Sequence, residues 1–416
     1  MNTDQRSGAR HSALSVFIGA PSVAAIFLLF LMCGAASGAE LRTLRSAHYL
    51  IHTDLETSFA EELARRLDAM YEDYARRLAG FGAINPDEKF EVYLFAKRAD
   101  YMRLTQNRYP NTGGIFMSSR NLLAAYLEGQ GRDGLRRAIQ HEAFHQFAFA
   151  AIGPGLPTWL NEGLAQYFEE GIWTGSQFTF GQIPPRRVRQ LQHDLSRKQI
   201  VPFRTILATT DAQWQETLTS NADRGATQYN QAWAMTHYLV HGSNGDVKYR
   251  PLLIDMLKRI HAGAEPQVAF TEAFSPNIDG FQARFEEFAT KLQATPEAAM
   301  IERQTVLADL LIESVRAGKR YSEVRAFRED VISSNTRLRY EKGQIRWQTE
   351  PDQRVYFSDL NNRQFDGNEL YFDHRGTSPI PDLVCRATDT LRLRTRFHDT
   401  SGGRIEHEVL CEPQSR

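Results

Sequence analysis

The sequence predicts an α+β chain in three parts: a small sheet with helices to about residue 175, a helical subdomain over 176–320, and a small β domain over 337–416. Three observations carry this expectation. Apolar residues recur at steps of three and four through the middle of the chain, as helices with one buried face require. Short stretches with period two occur near both ends. A length of 416 residues, 42% of them hydrophobic and 24% charged, gives enough apolar material for two or three domains without wholesale disorder.

The first 39 residues stand apart. Arg6 and Arg10 precede a polar-poor stretch, residues 23–36 are almost unbroken apolar, and Ser37-Gly38-Ala39 supplies small residues at the usual cleavage positions. We expect an export signal cut before Glu40, and hence a periplasmic or secreted chain. Left uncut, residues 13–36 approach the length of a membrane span and would act as an anchor. Removal of the signal takes Cys33 with it and leaves Cys385 and Cys411, an even number for an oxidising compartment. A disulfide between them is expected, with two separate buried thiols as the alternative.

Residues 48–52 (HYLIH) predict a short strand, and 56–78 a helix whose stripe of Phe59, Leu63, Leu67, Met70, Tyr74 and Leu78 faces a core. Residues 90–95 (FEVYLF) alternate as a strand does, and 113–116 and 121–127 suggest one or two more. A helix over 135–152 ends at Gly153-Pro154-Gly155, and the next begins near Trp159 after Pro157 and Thr158. Helices at 186–198, 229–241, 247–261, 278–294 and 296–317 make up the helical subdomain. From about 337 the pattern alternates at 338–349, 369–373, 390–398 and 404–411, with Ser401-Gly402-Gly403 as a turn. In that β domain Arg392, Arg394, Arg396 and Arg404 share one face, either solvated or a ligand surface.

Lysines and arginines number 49 against 50 acids, so no net field favours nucleic acid or an anionic membrane surface as partner. Oligomeric state is not legible.

The chemistry concentrates in HEAFH, residues 141–145, and in WLNEGLAQYFEE downstream. On a helix, residues four apart lie on one face with β-carbons about 5–6 Å apart, so His141 and His145 can converge on one ion. A catalytic zinc takes three protein ligands and keeps one place for water. Glu142 projects beside such an ion, where its carboxylate can take a proton from that water. The third ligand must come from another segment; Gly153-Pro154-Gly155 turns the chain back, and Glu162 is best placed, with Glu169 and Glu170 as competitors about 10 Å further along the axis. An HExxH arises by chance in roughly two chains in a hundred of this length, so the pattern alone is only suggestive. The flanks decide: Ala138, Ile139, Ala143, Phe144, Phe147, Phe149 and Ile152 make the helix apolar nearly all round, hence buried, and buried imidazoles and carboxylates need partners.

HEAFH followed by WLNEGLAQYFE resembles the gluzincin metallopeptidases, and the second stretch resembles their aminopeptidase N-like branch. Residues 45–300 are more similar to the bacterial peptidase-MA-like domains. The resemblance implies a zincin-like core, one Zn2+ held by His141, His145 and Glu162, and Glu142 as general base and later proton donor. It also implies that a tyrosine on a later helix steadies the oxyanion. Tyr229, opening YNQAWAMTHYL, matches that setting, with His237 as a second candidate. The aminopeptidase branch carries a glutamate on the strand before the zinc helix, where this chain reads GGIFMSSRN with no acid. An endopeptidase is therefore expected rather than an aminopeptidase, with Gly114, Ile115 and Phe116 on an edge strand holding an extended peptide through main-chain bonds. Arg120 either meets a substrate carboxylate or is solvated. Two other functions share these residues: a binding protein retaining zinc on a peptidase scaffold, and a zinc hydrolase of a non-peptide cell-envelope substrate.

Overall fold

The computed structural model describes residues 40–79, 81, 84, 88–342, 345–376, 378, 380–389, 391–399 and 403–413. The expected signal segment, with its cleavage positions, and Ser401-Gly402 of the expected turn lie outside the described residues.

A hairpin of β1 (Arg42–Arg45) and β2 (Tyr49–Thr53) leads into α1 (Thr57–Arg77), then β3 (Phe90–Phe95), α2 (Arg98–Leu104), β4 (Gly114–Met117) and β5 (Leu122–Tyr126). These strands form one sheet in the order β1-β2-β3-β5-β4, with β2, β3 and β5 parallel and β1 and β4 antiparallel at the edges. Alternation along the strands explains the layers. Tyr49, Ile51, Phe90, Val92 and Leu94 pack with Phe59, Leu63, Leu67, Met70 and Tyr74 of α1. On the other face Phe95, Leu122, Ala124 and Tyr126 pack with Tyr101 of α2. The strands and α1 lie where the sequence predicts them; β1 and α2 are too short to show a period.

Next come α3 (Gly131–Ala151), α4 (Thr158–Glu169), the short pair β6 (Ile172–Trp173) and β7 (Phe178–Thr179), α5 (Pro185–Ser196), α6 (Phe203–Ala208), α7 (Asp211–Ser220) and α8 (Ala222–His241). A second short pair, β8 (Ser243–Asn244) and β9 (Val247–Lys248), precedes α9 (Tyr249–His261), α10 (Pro266–Ala273) and α11 (Ile278–Lys291). The central helix α8 starts seven residues before the expected Tyr229, capped by the Asn221 side chain on the Arg224 N–H. Its first two turns, ADRGATQ, are polar and hold a glycine, so they carry no apolar period.

The C-terminal part comprises α12 (Pro296–Arg316), α13 (Val324–Ser334), the hairpin β10 (Arg339–Lys342) and β11 (Ile345–Gln348), and the antiparallel sheet β12 (Leu370–Asp373), β13 (Asp382–Arg386), β14 (Leu391–Asp399), β15 (Ile405–Pro413). It corrects the expected boundary. α12, expected as the last helix of the helical subdomain, packs Met300, Leu307 and Leu311 with Leu383, Leu393 and Phe397 of the sheet. Gln304 Nε2 fastens it by donating to the Leu383 carbonyl at 2.9 Å and Thr395 Oγ1 at 3.0 Å. The β domain thus begins with two helices, and residues 41–416 form one compact unit.

The expected disulfide is also corrected. Cys385 and Cys411 are free, and both face Leu393 from opposite sides of β14. Two strand spacings place their backbones about 9.5 Å apart, beyond the reach of a disulfide. Two members of the arginine face are internally paired: Arg394 meets Asp373, Asp382 and Glu412, and Arg392 meets Glu412.

Candidate metal centre

The centre is built where α3 and α4 run back on one another. α3 is held from both sides by buried amides. Gln146 Nε2 donates to the carbonyls of Glu91 (3.2 Å) and Asn121 (3.1 Å) in the sheet layer, and Gln140 Nε2 donates to the Glu169 carbonyl (3.1 Å) at the end of α4. α4 in turn lies close on α8, because a Cβ on Gly163 would run into Thr236 Oγ1 and the Ala232 carbonyl. Gln166 Nε2 completes the frame with a 3.0 Å bond to the Tyr229 carbonyl.

Within this frame the Nε2 atoms of His141 and His145 both face Glu162 Oε2, at 3.3 Å and 3.7 Å. The three donor atoms all lie within 4.8 Å of one another. Tetrahedral bonds of about 2.0–2.1 Å to a zinc ion require ligand atoms roughly 3.4 Å apart, close to the two histidine–glutamate separations. Each ring is oriented from behind: His141 Nδ1 is 3.3 Å from Glu169 Oε2, and His145 Nδ1 is 3.1 Å from Asn161 Oδ1. Such outer partners fix which nitrogen offers its lone pair. Apart from the two imidazoles that face it, Glu162 Oε2 is buried without a hydrogen-bond partner among the described residues, and a buried charged oxygen left so costs free energy unless something completes it. A divalent cation is such a group.

Burial acts to lower the His141 pKa, but its bonds to Glu162 and Glu169 outweigh burial and raise it well above the usual imidazole range. Burial acts in the opposite sense on Glu162, and the two imidazoles overcome it and hold the carboxylate far below its ordinary pKa.

Glu142 stands beside the three, its Oε2 accepting the Phe116 N–H at 2.8 Å. Gly114 allows this approach, since a Cβ there would sit 3.3 Å from Glu142 Cγ. Gly114, Ile115 and Phe116 line a cleft of about 680 Å3 whose floor holds His141, His145 and Glu162. Tyr229 lines the same cleft, its ring 5.3 Å from that of Trp214. Burial, followed by the charge of Glu162, raises the phenol pKa, so it stays a donor.

Several expected alternatives fall elsewhere. Glu169 is in the site, behind His141 rather than among the three donors. Glu170 is consumed by Arg186 and Arg187, each at 2.7 Å. His237 is buried against Trp233 and His241, outside the residues lining the cleft, and burial pushes its pKa down to about 4. Arg120 is exposed on the turn after β4 and does not line the cleft. Asn161 behind His145 and Trp214 beside Tyr229 have no spacing that marks them in the sequence, and the only local sign of either is that Asn161 lies one residue before Glu162.

A family described as a protein of unknown function (DUF1570) matches residues 137–250, a span holding HEAFH, Glu162 and Tyr229. No curated protein matches the chain.

Proposed function

We propose that this chain is an exported zinc-dependent peptidase with a zincin-like core of gluzincin type, related to the peptidase-MA-like domains. One observation carries the proposal: two imidazole Nε2 atoms and an otherwise unpartnered carboxylate oxygen meet at 3.3 Å and 3.7 Å on the floor of an open cleft. Zinc held there would polarise a scissile carbonyl and acidify water.

The chain's own groups supply the rest. Glu142 takes the proton from the attacking water and returns it to the leaving amine, and the Phe116 N–H keeps one of its oxygens in place. Tyr229, kept protonated, donates to the oxygen that gains negative charge; one such donor is worth about 3–4 kcal/mol. An extended peptide can pair with β4, the edge strand of its sheet, by main-chain hydrogen bonds. β4 carries no acid to hold a free amino terminus, which favours cleavage within a chain over removal of single N-terminal residues.

Mass spectrometry of the intact chain should find one zinc per molecule. Glu142→Gln should keep that zinc while hydrolysis of a peptide library falls by about 100-fold or more. Glu162→Gln should lose the metal as well. A fully active Glu142→Gln protein, or a Glu162→Gln protein with its zinc unchanged, would refute the assignment.

A further inference from the structure

We infer that the cleft selects its peptide by charge, with Arg137 binding a substrate carboxylate about three residues from the scissile bond; the inference rests on the peptidase reading above. Along α3 the residues Arg137, His141, His145 and Phe149 recur at steps of four and all line the cleft. Each step advances about 6 Å along the helix, and an extended peptide advances about 3.3 Å per residue. Arg137 therefore lies about three peptide residues to one side of the centre and Phe149 about three to the other.

The two ends differ in chemistry. Arg137 is the only lysine or arginine among the described residues lining the cleft. It is exposed, and among the described residues nothing pairs with its guanidinium. Its neighbour Arg136 is held by Glu62, Asp133 and Glu408. At the other end Phe149 is 36% exposed with its ring 5.7 Å from that of Phe116, and Leu156, just past the end of α3, lines the cleft as well. β4 runs alongside this axis: Gln130 Nε2 bonds the Gly113 carbonyl at 2.8 Å near the start of α3, and Phe116 meets Phe149 near its end. A peptide paired to β4 must pass both ends.

Arg137 also stands at a junction. A second cleft, of about 500 Å3, shares Gln130, Gly134 and Arg137 with the first and is walled on its far side by Asp309, Arg339 and His407 of the C-terminal part. The C-terminal part thereby extends the channel, and a substrate long enough to pass Arg137 enters it. A guanidinium at that point offers two parallel donors to a carboxylate, from an aspartate or glutamate side chain or from the peptide's own C-terminus.

The test scans one glutamate through each position of a neutral octapeptide with a central aromatic residue, each made with a free and with an amidated C-terminus. With the zinc-loaded full chain, glutamate should raise kcat/KM on one side of the cut only, about three residues away. Arg137→Ala should lower the ratio of acid to neutral kcat/KM roughly tenfold, and Arg137→Glu should reverse it in favour of lysine. Free and amidated peptides separate the two sources of carboxylate. Binding of the same peptides to zinc-loaded Glu142→Gln protein, with and without Arg137→Ala, should show the same ratio without turnover. A flat glutamate profile, or an equal loss on acid and neutral peptides, overturns the inference while leaving the peptidase intact. Binding with this preference but no cleavage of any peptide by the native chain overturns the peptidase instead.

Discussion

His141 has carboxylates on both ring nitrogens, Glu162 at 3.3 Å on Nε2 and Glu169 at 3.3 Å on Nδ1. Burial opposes its proton, and those two partners win, so the metal-free ring titrates well above the usual range. A cation approaching Nε2 must displace that proton, so zinc affinity falls as pH drops. The stability that protonated His141 lends the metal-free protein is whole below its unfolded pKa of about 6.5 and is lost as pH rises through the raised folded value. Zinc should accordingly raise the Tm more at about pH 8.5 than at about pH 6, and equal increments in a thermal scan would contradict the assignment of Nε2 as ligand. His141, Glu142 and His145 were legible from spacing because helical geometry fixes where residues of one helix stand relative to one another, whereas Glu162, on the next helix, rested on the turn at Gly153-Pro154-Gly155 and on the resemblance. Glu169 was legible only as a rival ligand, since it lies on the same face as Glu162 two turns on. Which carboxylate meets Nε2 and which meets Nδ1 depends on how α3 and α4 cross, and no local period records that.

Between elements, the joint of α3 with β15 carries a buried charge cluster. Glu408, 1% exposed, binds Arg136 at 2.7 Å and His398 at 2.8 Å, while the Val409 N–H donates to Asp133 at 3.0 Å. Arg136 retains Glu62 at 2.8 Å, so removing Glu408 strands part of a buried charge rather than all of it. Glu408→Ala should lose about 3 kcal/mol, the lower end for a broken buried pair. Glu329→Ala, which breaks an exposed pair with Arg325 on α13, should lose under about 1 kcal/mol. Urea midpoints measure both, and similar losses would mean that the cluster is no more than solvated surface charge. The sequence showed that the strand of Glu408 exists but not its partner. The same limit hid the allegiance of α12: periodicity revealed a buried face over 296–317 without saying that the face meets β13 and β14. Pairings far apart in the sequence are set by the summed fit of cores, which a single chain does not spell out locally.

Across the whole molecule the two large cores are tied at several points. Besides Glu408 and Arg136, Arg189 of α5 pairs with Glu302 of α12 at 2.8 Å and covers the Trp347 ring at 4.4 Å, and the Thr295 N–H donates to the Ile183 carbonyl at 3.1 Å. If these ties make residues 41–416 open as one, a ligand bound only in the first core must protect the second. Zinc at 100 times its dissociation constant stabilises the folded chain by about 2.7 kcal/mol, which slows exchange through global opening about 100-fold. The slowest amides of β14, where Leu393 and Thr395 are fully buried, should slow by that factor together with those of α3. Protection confined to α3 would show that the C-terminal part opens independently. Arg137 would then face a movable wall, and the charge selection proposed for the cleft would weaken whenever that wall swings away.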